Sequence, residues 1–154
     1  MHIIVGYHQA PEGRAAFERA REEARLRDAS LHAIHVLRSP LTGDATELRA
    51  WGAQVEQARA EASALERELS AEGLTCQVEV QTSSSRTPAE ILIQAVTAAD
   101  ADLLIIGIRS RSPVGKLILG SVAREVLLAA PCPVLAVKQS TDDEAGTTGE
   151  AARQ

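Results

Sequence analysis

Residues 103–106 read Leu-Leu-Ile-Ile, a run that is apolar at both of the alternating positions of a β-strand. Such a run is typical of a strand buried on both faces, as in a parallel sheet covered by helices on each side. Residues 75–82 (TCQVEVQT) instead alternate, with Cys76, Val78 and Val80 on one face, which favours a half-exposed strand at an edge. The first segment is therefore expected near the centre of a parallel sheet and the second at its border.

Short apolar segments and longer helical segments alternate along the rest of the chain. The remaining strands are predicted at Ile3–Tyr7, Leu31–Leu37 and Val134–Val137, and the helices at residues 12–28, 45–72, 88–99 and 118–129. This alternation predicts one α/β domain, a doubly wound, Rossmann-like parallel sheet with helices on both faces. Ligands of such sheets bind beyond the carboxyl ends of the strands, at the switch point. A ligand is therefore expected at residues 7–10 and 107–121.

Local residues mark the ends of several predicted elements. Pro11 suits the first position of a helix, Gly73 the end of one, and Thr87-Pro88-Ala89-Glu90 the capped start of another. Residues 83–85 (Ser-Ser-Ser) are expected to form a polar loop, and the strand at 103–106 is expected to end in a loop from Gly107 onward. One apolar stripe is predicted along the long second helix, formed by Leu48, Val55, Ala58, Ala62, Leu65 and Leu69.

Composition limits the classes of protein to consider. The chain has 154 residues, which suits one domain, here residues 1–139, with the apolar-poor tail 140–154 expected to be disordered. Acidic residues outnumber basic ones by 21 to 16, giving a net charge of −5, and only Tyr7, Phe17 and Trp51 are aromatic. A nucleic-acid partner is therefore not expected, because a basic surface and stacking platforms are both lacking.

The remaining composition favours a cytoplasmic protein. Cys76 and Cys132 lie far apart without a metal-ligand or disulfide-scaffold spacing, so both are expected to be reduced thiols. The start of the chain lacks the pattern of a secretory signal, and apolar runs are too short to span a bilayer. Neither secretion nor a membrane is expected.

One stretch departs from the acidic average. Residues 104–124 contain no acid and four basic residues, which are Arg109, Arg111, Lys116 and Arg124, together with three glycines and three serines. Glycines let a backbone approach a ligand, and a helix beginning at Gly120-Ser121 would offer free N–H groups to an anion. A solvated basic loop whose glycines serve only turn geometry fits the composition equally well. The stretch matches neither GxxxxGK[ST] nor GxGxxG.

The same stretch resembles the glycine-rich loop of the universal stress protein family, whose nucleotide-binding members carry G-x2-G-x9-G-[ST] after the fourth strand. Gly107, Ser110, Gly120 and Ser121 stand at the four pattern positions, so a serine replaces the second glycine. The resemblance also covers HIIVGY at the start of the chain, HVL at 35–37, PAEIL at 88–92 and APCPVLAV at 130–137.

This resemblance implies strand order 3-2-1-4-5, a homodimer formed through Val134 to Lys138, and an adenine nucleotide such as ATP or AMP, with or without Mg. It places Val36 and Ile106 near adenine. The nucleotide-binding residues predicted in this way and from the switch point are Tyr7, His8, Val36, Ile106, Gly107, Arg109, Ser110, Gly120, Ser121 and Val122. His8 stands where the family has an acid.

The function implied is a stress-response nucleotide-binding and signalling module with an unknown regulatory partner. The alternative is a dimeric regulatory protein that binds no nucleotide and whose basic loop contacts an acidic partner or another small anion. No residue stands out as a catalytic base or water-positioning group, so slow ATP hydrolysis is the most that an enzymatic interpretation offers. His32 and His35 point to opposite faces of a strand, which favours packing over a metal site.

Overall fold

Strands and helices alternate strictly along the chain in a computed structural model, which describes residues 1–109 and 119–139. The elements are β1 (His2–Gly6), α1 (Pro11–Arg27), β2 (Ser30–Arg38), α2 (Ala45–Ala71), β3 (Cys76–Ser83), α3 (Pro88–Ala99), β4 (Leu103–Ile108), α4 (Ser121–Ala129) and β5 (Val134–Lys138). Predictions for Ser110, Arg111, Lys116, residue 118 and the tail 140–154 lie outside the described residues.

All five strands are parallel, in the order β3-β2-β1-β4-β5. The predicted fold class and strand order are therefore confirmed. The middle position belongs to β1, with β4 beside it, and β3 is an edge strand as its alternating pattern predicts. Ile4 of β1 lies opposite Leu104 of β4, so the two most apolar strands are neighbours.

Two apolar layers hold the helices to the sheet. On one face, α1 and α2 pack through residues such as Phe17 and Leu69 onto Val5 and Ile105. On the other face, α3 and α4 pack onto alternate residues of the same strands, including Ile106. Burial on both faces explains why β4 carries an unbroken apolar run.

The helix starts differ in how their backbone N–H groups are satisfied. Asp44 before α2 and Thr87 before α3 each form a capping box with an acid three residues later. Ala10 before α1 and Gly120 before α4 provide no side-chain cap. The two uncapped helices are those that follow β1 and β4, the neighbours at the middle of the sheet.

Three local expectations need correction. Gly107 is not the start of a loop but lies inside β4, which continues to Ile108 because both residues pair with β5. Ser83 is the last residue of β3, where its buried hydroxyl accepts from the N–H of Arg86 at 2.9 Å. Leu48 is 49% exposed, because the first turns of α2 extend past the part of the helix that packs on the sheet.

Two expectations about α2, its apolar stripe and its end at Gly73, are confirmed. The stripe on α2 is buried at Val55, Ala58, Ala62 and Leu69. Gly73 follows α2 with φ at +86°, a conformation that glycine adopts without strain. Cys76 and Cys132 are free thiols. Across the described ranges, none of the helices has the length and apolar content needed to cross a membrane.

Candidate functional site

The carboxyl ends of β1 and β4 lie side by side, and the chain leaves them in opposite directions. After β1 it turns into α1 on one face of the sheet, and after β4 it reaches α4 on the other face. In doubly wound sheets such a divergence forms a crevice beyond the strand ends, and the region between the loop 7–10 and the end of β4 is called the switch-point crevice below.

The first turn of α1 packs closely against the loop that follows β1 and against β4. A Cβ on Gly13 would lie within 3.0 Å of the backbone of His8, and a Cβ on Gly107 would lie within 3.0 Å of the carbonyl of Glu12. Real Cβ atoms essentially never come so close to backbone. Both glycines are therefore required for packing, which accounts for Gly107 without any ligand.

Glu12 and Arg109 form an ion pair across the crevice. The Nε of Arg109 donates to Oε1 of Glu12, whose side chain is 8% exposed, whereas that of Arg109 is 57% exposed. Burial is the largest single influence and raises the pKa of the Glu12 carboxyl, but the hydrogen bond from Arg109, a backbone hydrogen bond and the charge of Arg109 together leave that pKa below its usual value. Glu12 is therefore a fixed negative charge at neutral pH.

His8 lies between these charges and a buried aromatic cluster. Burial lowers the pKa of His8, the charge of Glu12 opposes that shift, and the charge of Arg109 adds to it. Burial and the neighbouring His8 likewise lower the pKa of His35. Both imidazoles are therefore neutral at pH 7. The resemblance described above implies an acidic residue at position 8, and a neutral His8 does not supply the negative charge of that residue.

The side chain of Tyr7 lies on the opposite face of the sheet from Val36, Ile106 and Val122. Its ring lies 5.4 Å from that of Phe17 and 5.3 Å from that of His35, in the layer under α1 and α2. Burial, with the charge of Glu61 as a smaller cause, raises the pKa of Tyr7 to about 12. Only the backbone of this residue, whose N–H donates to Ile34 at 3.1 Å, borders the strand ends.

Val36, Ile106 and Val122 lie together in the opposite layer, under α3 and α4. Val36 and Val122 are half-buried and Ile106 is buried, so the first two keep surface that a planar apolar group could cover. The structure thus places the two residues predicted near adenine in the same apolar layer as Val122, another predicted nucleotide-binding residue. Ser110 lies outside the described residues.

Gly120 and Ser121 form the start of α4, as predicted for an anion site. Both are exposed, and none of the described residues lies within 4 Å of the position that a Cβ on Gly120 would take. The helix has no acid in its first turn, whereas the first turn of α1 carries Glu12. Of the two uncapped helices, α4 is therefore the one whose first turn carries no acidic side chain.

Sequence reasoning missed three polar residues of this region. Glu12 was assigned only to a helix, although its place after Pro11 marks it as a first-turn acid. Gln9 reaches Glu61 of α2, with Nε2 donating to Oε2 at 2.7 Å. Glu12 and Arg109 are 97 residues apart in sequence, and Gln9 and Glu61 are 52 apart. No local sequence pattern can predict contacts between residues so far apart. Within the ranges 1–109 and 119–139, no group of three or more metal-ligating side chains converges.

Fold and strand order together define a doubly wound α/β protein whose fourth helix starts, beside the switch point, without a side-chain cap. The sequence profile of the universal stress protein family matches residues 1–138, and the chain belongs to that family. A universal stress protein of Mycolicibacterium smegmatis is 41% identical over 136 residues, 88% of this chain and 96% of that protein. A universal stress protein of Archaeoglobus fulgidus has a solved structure with TM-score 0.62 and 30% identity, covering 90% of this chain and 98% of that one.

More distant structures share the fold and include nucleotide complexes. One from Archaeoglobus fulgidus with dAMP has TM-score 0.56 and 23% identity, covering 90% of this chain and 98% of that one. One from Arabidopsis thaliana with AMP bound has TM-score 0.61 and 19% identity, covering 93% and 94% respectively. A third, in complex with cAMP, has TM-score 0.63 and 20% identity, covering 91% and 98%.

Proposed function

We propose that this protein is a stress-response module that binds an adenine nucleotide, of the ATP or AMP type, at the crevice between β1 and β4. The observation that carries the proposal is the start of α4, where Gly120 offers no side-chain cap to the first N–H groups and no described residue fills the space above it. A phosphate satisfies such groups and is favoured by the helix dipole.

The apolar surface next to that helix start suits the rest of the ligand. Val36 and Val122 are half-buried in the same apolar layer as Ile106, on the face of the sheet that α4 covers. Adenine is planar and largely apolar, and its burial against such side chains would contribute to affinity. Relatives with the same fold hold AMP, dAMP or cAMP, which supports the same class of ligand here.

Isothermal titration with AMP, cAMP, ADP and ATP, with and without Mg, tests this proposal. We expect saturable binding, and we expect Gly120→Val to abolish it, because the new side chain would fill the space where the backbone meets the phosphate. Gly52→Val in α2 is the matched control, since a Cβ there also meets nothing within 4 Å. No binding at millimolar nucleotide, or full affinity in Gly120→Val, would contradict the proposal.

We further propose that two copies associate through β5. This strand pairs only with β4 among the described strands, and the adjacent α4 exposes Leu127 by 44% and Leu128 by 82%. Leu104 lies opposite Val134 and donates to the carbonyl of Pro133 at 3.0 Å. In a parallel ladder, Val134 and then Ala136 therefore direct their N–H and C=O groups away from β4, toward a second strand.

Light scattering coupled to gel filtration tests the dimer. Ala136→Pro removes an outward N–H while leaving the bonds to β4, so it is expected to give a folded monomer. Leu128→Asp is expected to weaken the dimer, and Leu26→Asp on α1, where the leucine is 72% exposed, is the matched control. A dimer that persists in both Ala136→Pro and Leu128→Asp would exclude this interface.

One observation favours the alternative of an acidic protein partner. The guanidinium of Arg109 already binds a carboxylate of this chain, Glu12, which shows that this side chain pairs with carboxylate groups. Under this alternative, Arg109→Gln would weaken partner binding, and no nucleotide would change the melting temperature. A rise in melting temperature with nucleotide that Gly120→Val removes would decide for the nucleotide.

A further inference from the structure

The outer edge of β3 carries a row of backbone groups that the sheet does not use. At one end of the pair, Leu31 of β2 donates to the carbonyl of Thr75 at 2.9 Å, and at the other end Ser39 donates to that of Ser83 at 2.9 Å. In a parallel ladder, the odd-numbered residues of β3 therefore bond to β2, and the even-numbered residues between 76 and 82 direct their N–H and C=O groups outward. Because β3 ends the sheet, this row lies at its border.

An acid from α2 occupies one outward N–H of this edge. The N–H of Val78 donates to Oε2 of Glu66 at 2.7 Å. The thiol of Cys76 also donates to the backbone carbonyl of Glu66, at 3.6 Å, which holds this turn of α2 beside the start of β3. The side chain of Val78 is buried in the layer under α1 and α2, so the strand is fixed with this N–H toward the carboxylate. Glu66 therefore takes a hydrogen-bonding position that an added strand would need.

We infer that Glu66 closes the β3 edge against strand addition by a second copy of this chain. An exposed strand offers its unpaired row to an identical strand, and two such edges pair about a two-fold axis. An incoming strand would have to displace the carboxylate from Val78, and pairing would bring two Glu66 side chains to one interface. Charges left unpaired where water is excluded are costly, so the edge stays closed.

The opposite border of the sheet differs in charge. Its strand, β5, reads Val-Leu-Ala-Val-Lys and contains no acid. A sheet that adds copies at both borders grows into an open chain, whereas one that adds a copy at β5 alone stops at two. Glu66 thus limits assembly to a pair of copies. This second point rests on the association through β5 proposed above, whereas closure of the β3 edge does not.

Glu66→Ala is the direct test, since it frees the Val78 N–H and removes the charge. Light scattering coupled to gel filtration is run at increasing protein concentration, and the wild type is expected to keep one mass. We expect Glu66→Ala to form larger species, reaching about twice the wild-type mass or more at millimolar protein. Glu56→Ala removes the same charge from an exposed position of α2, so it is the matched control and should behave as the wild type.

Two further variants separate closure of the edge from a general loss of structure. Glu66→Gln keeps an oxygen that can accept from Val78, so it is expected to assemble less than Glu66→Ala. The double variant Glu66→Ala with Ala136→Pro blocks β5 as well, so it should stop at two copies joined through β3. Alanine is a good helix former, so α2 is expected to stay folded in these variants, and the urea midpoint of each checks this.

The outcomes distinguish this inference from the dimer on which its second point rests. If the wild type is a monomer and Glu66→Ala a dimer, closure of β3 is supported and the β5 dimer is wrong. If folded Glu66→Ala keeps the wild-type mass at millimolar protein, or if Glu56→Ala assembles equally, the role of Glu66 is wrong. Growth of the double variant beyond two copies would also overturn it, because the new contact would then not be the β3 edge.

Discussion

The carbonyl of Glu12 occupies the space that a side chain on Gly107 would need. Gly107 lies in β4 and Glu12 in the first turn of α1, so this contact sets how closely the helix approaches the carboxyl end of the sheet. The same approach brings the Glu12 carboxylate to Arg109. The contact between Glu12 and Gly107 therefore determines both the packing of α1 on the sheet and the pairing of the Glu12 carboxylate with Arg109.

Gly107→Ala is expected to destabilise the protein by about 2 kcal/mol or more, because the new methyl group overlaps backbone that cannot rotate away. Urea unfolding measures this change. Gly52→Ala is the control, since space is open around Gly52 within a helix, and it should stabilise by about 0.5–1 kcal/mol. Equal stability of Gly107→Ala and the wild type would show that α1 does not approach β4 as described.

Stability is expected to fall as the pH drops from 6.5 to about 5. Burial is the main cause that lowers the pKa of His2, His8 and His35 below 6.5, so the unfolded chain binds protons in this range and the folded chain resists them. The groups facing His35 are Tyr7, His8 and Glu61. Glu61 partly offsets the effect because its charge favours protonated His35.

Urea midpoints measured across this pH range test the histidine effect. His35→Phe removes one of the three groups and keeps a ring against Tyr7, so the pH dependence should become shallower. Constant or rising stability toward pH 5 would contradict the burial of these imidazoles.

Tyr7 is the only tyrosine in the chain, so its ionisation can be followed without interference from another phenol. Burial and Glu61 raise its pKa to about 12. Absorbance of the tyrosinate should therefore appear at a higher pH than for a free phenol, whose pKa is near 10. Since the folded pKa lies above the unfolded one, stability should decrease as the pH rises through this interval. A midpoint near 10 while the protein is still folded would exclude the buried position.

Thr87→Ala is expected to cost about 1 kcal/mol, because the threonine side chain caps α3 by accepting from the N–H of Glu90 at 3.2 Å. The hydroxyl also approaches the carboxylate of Glu125 on α4 at 3.3 Å. Thr46→Ala is the control, since Thr46 contributes only its backbone N–H to the cap of α2. Thermal or urea unfolding compares the two, and an equal effect of both would contradict the cap.

Sequence patterns predicted the fold class and most element boundaries, because burial of one or both faces sets the spacing of apolar residues within each helix and strand. Leu103–Ile106 needed no partner to identify a strand buried on both faces, and Thr87 to Glu90 identified a capped helix start directly. The error at Gly107 has a clear origin. A glycine after an apolar run suggests a turn, whereas here it continues the strand to make room for α1.

The site was predictable only in part. Gly120 and Ser121 stand at a helix start as their motif indicates, and Val36 and Ile106 share a layer with Val122. The placement of the Tyr7 side chain on the other face followed from its partners, Phe17 and His35, which approach it from separate elements. No local pattern reports such a contact.

By itself, the sequence determined a doubly wound α/β chain with a glycine-containing helix start after its fourth strand. These properties follow from hydrophobic period and turn chemistry, which act over a few residues. Only the tertiary structure decided that Arg109 is held by Glu12, 97 residues away, and that Gly107 serves the approach of α1. Such contacts join residues from elements that are distant in sequence. They depend on how the whole chain packs into a dense interior, which no short segment determines.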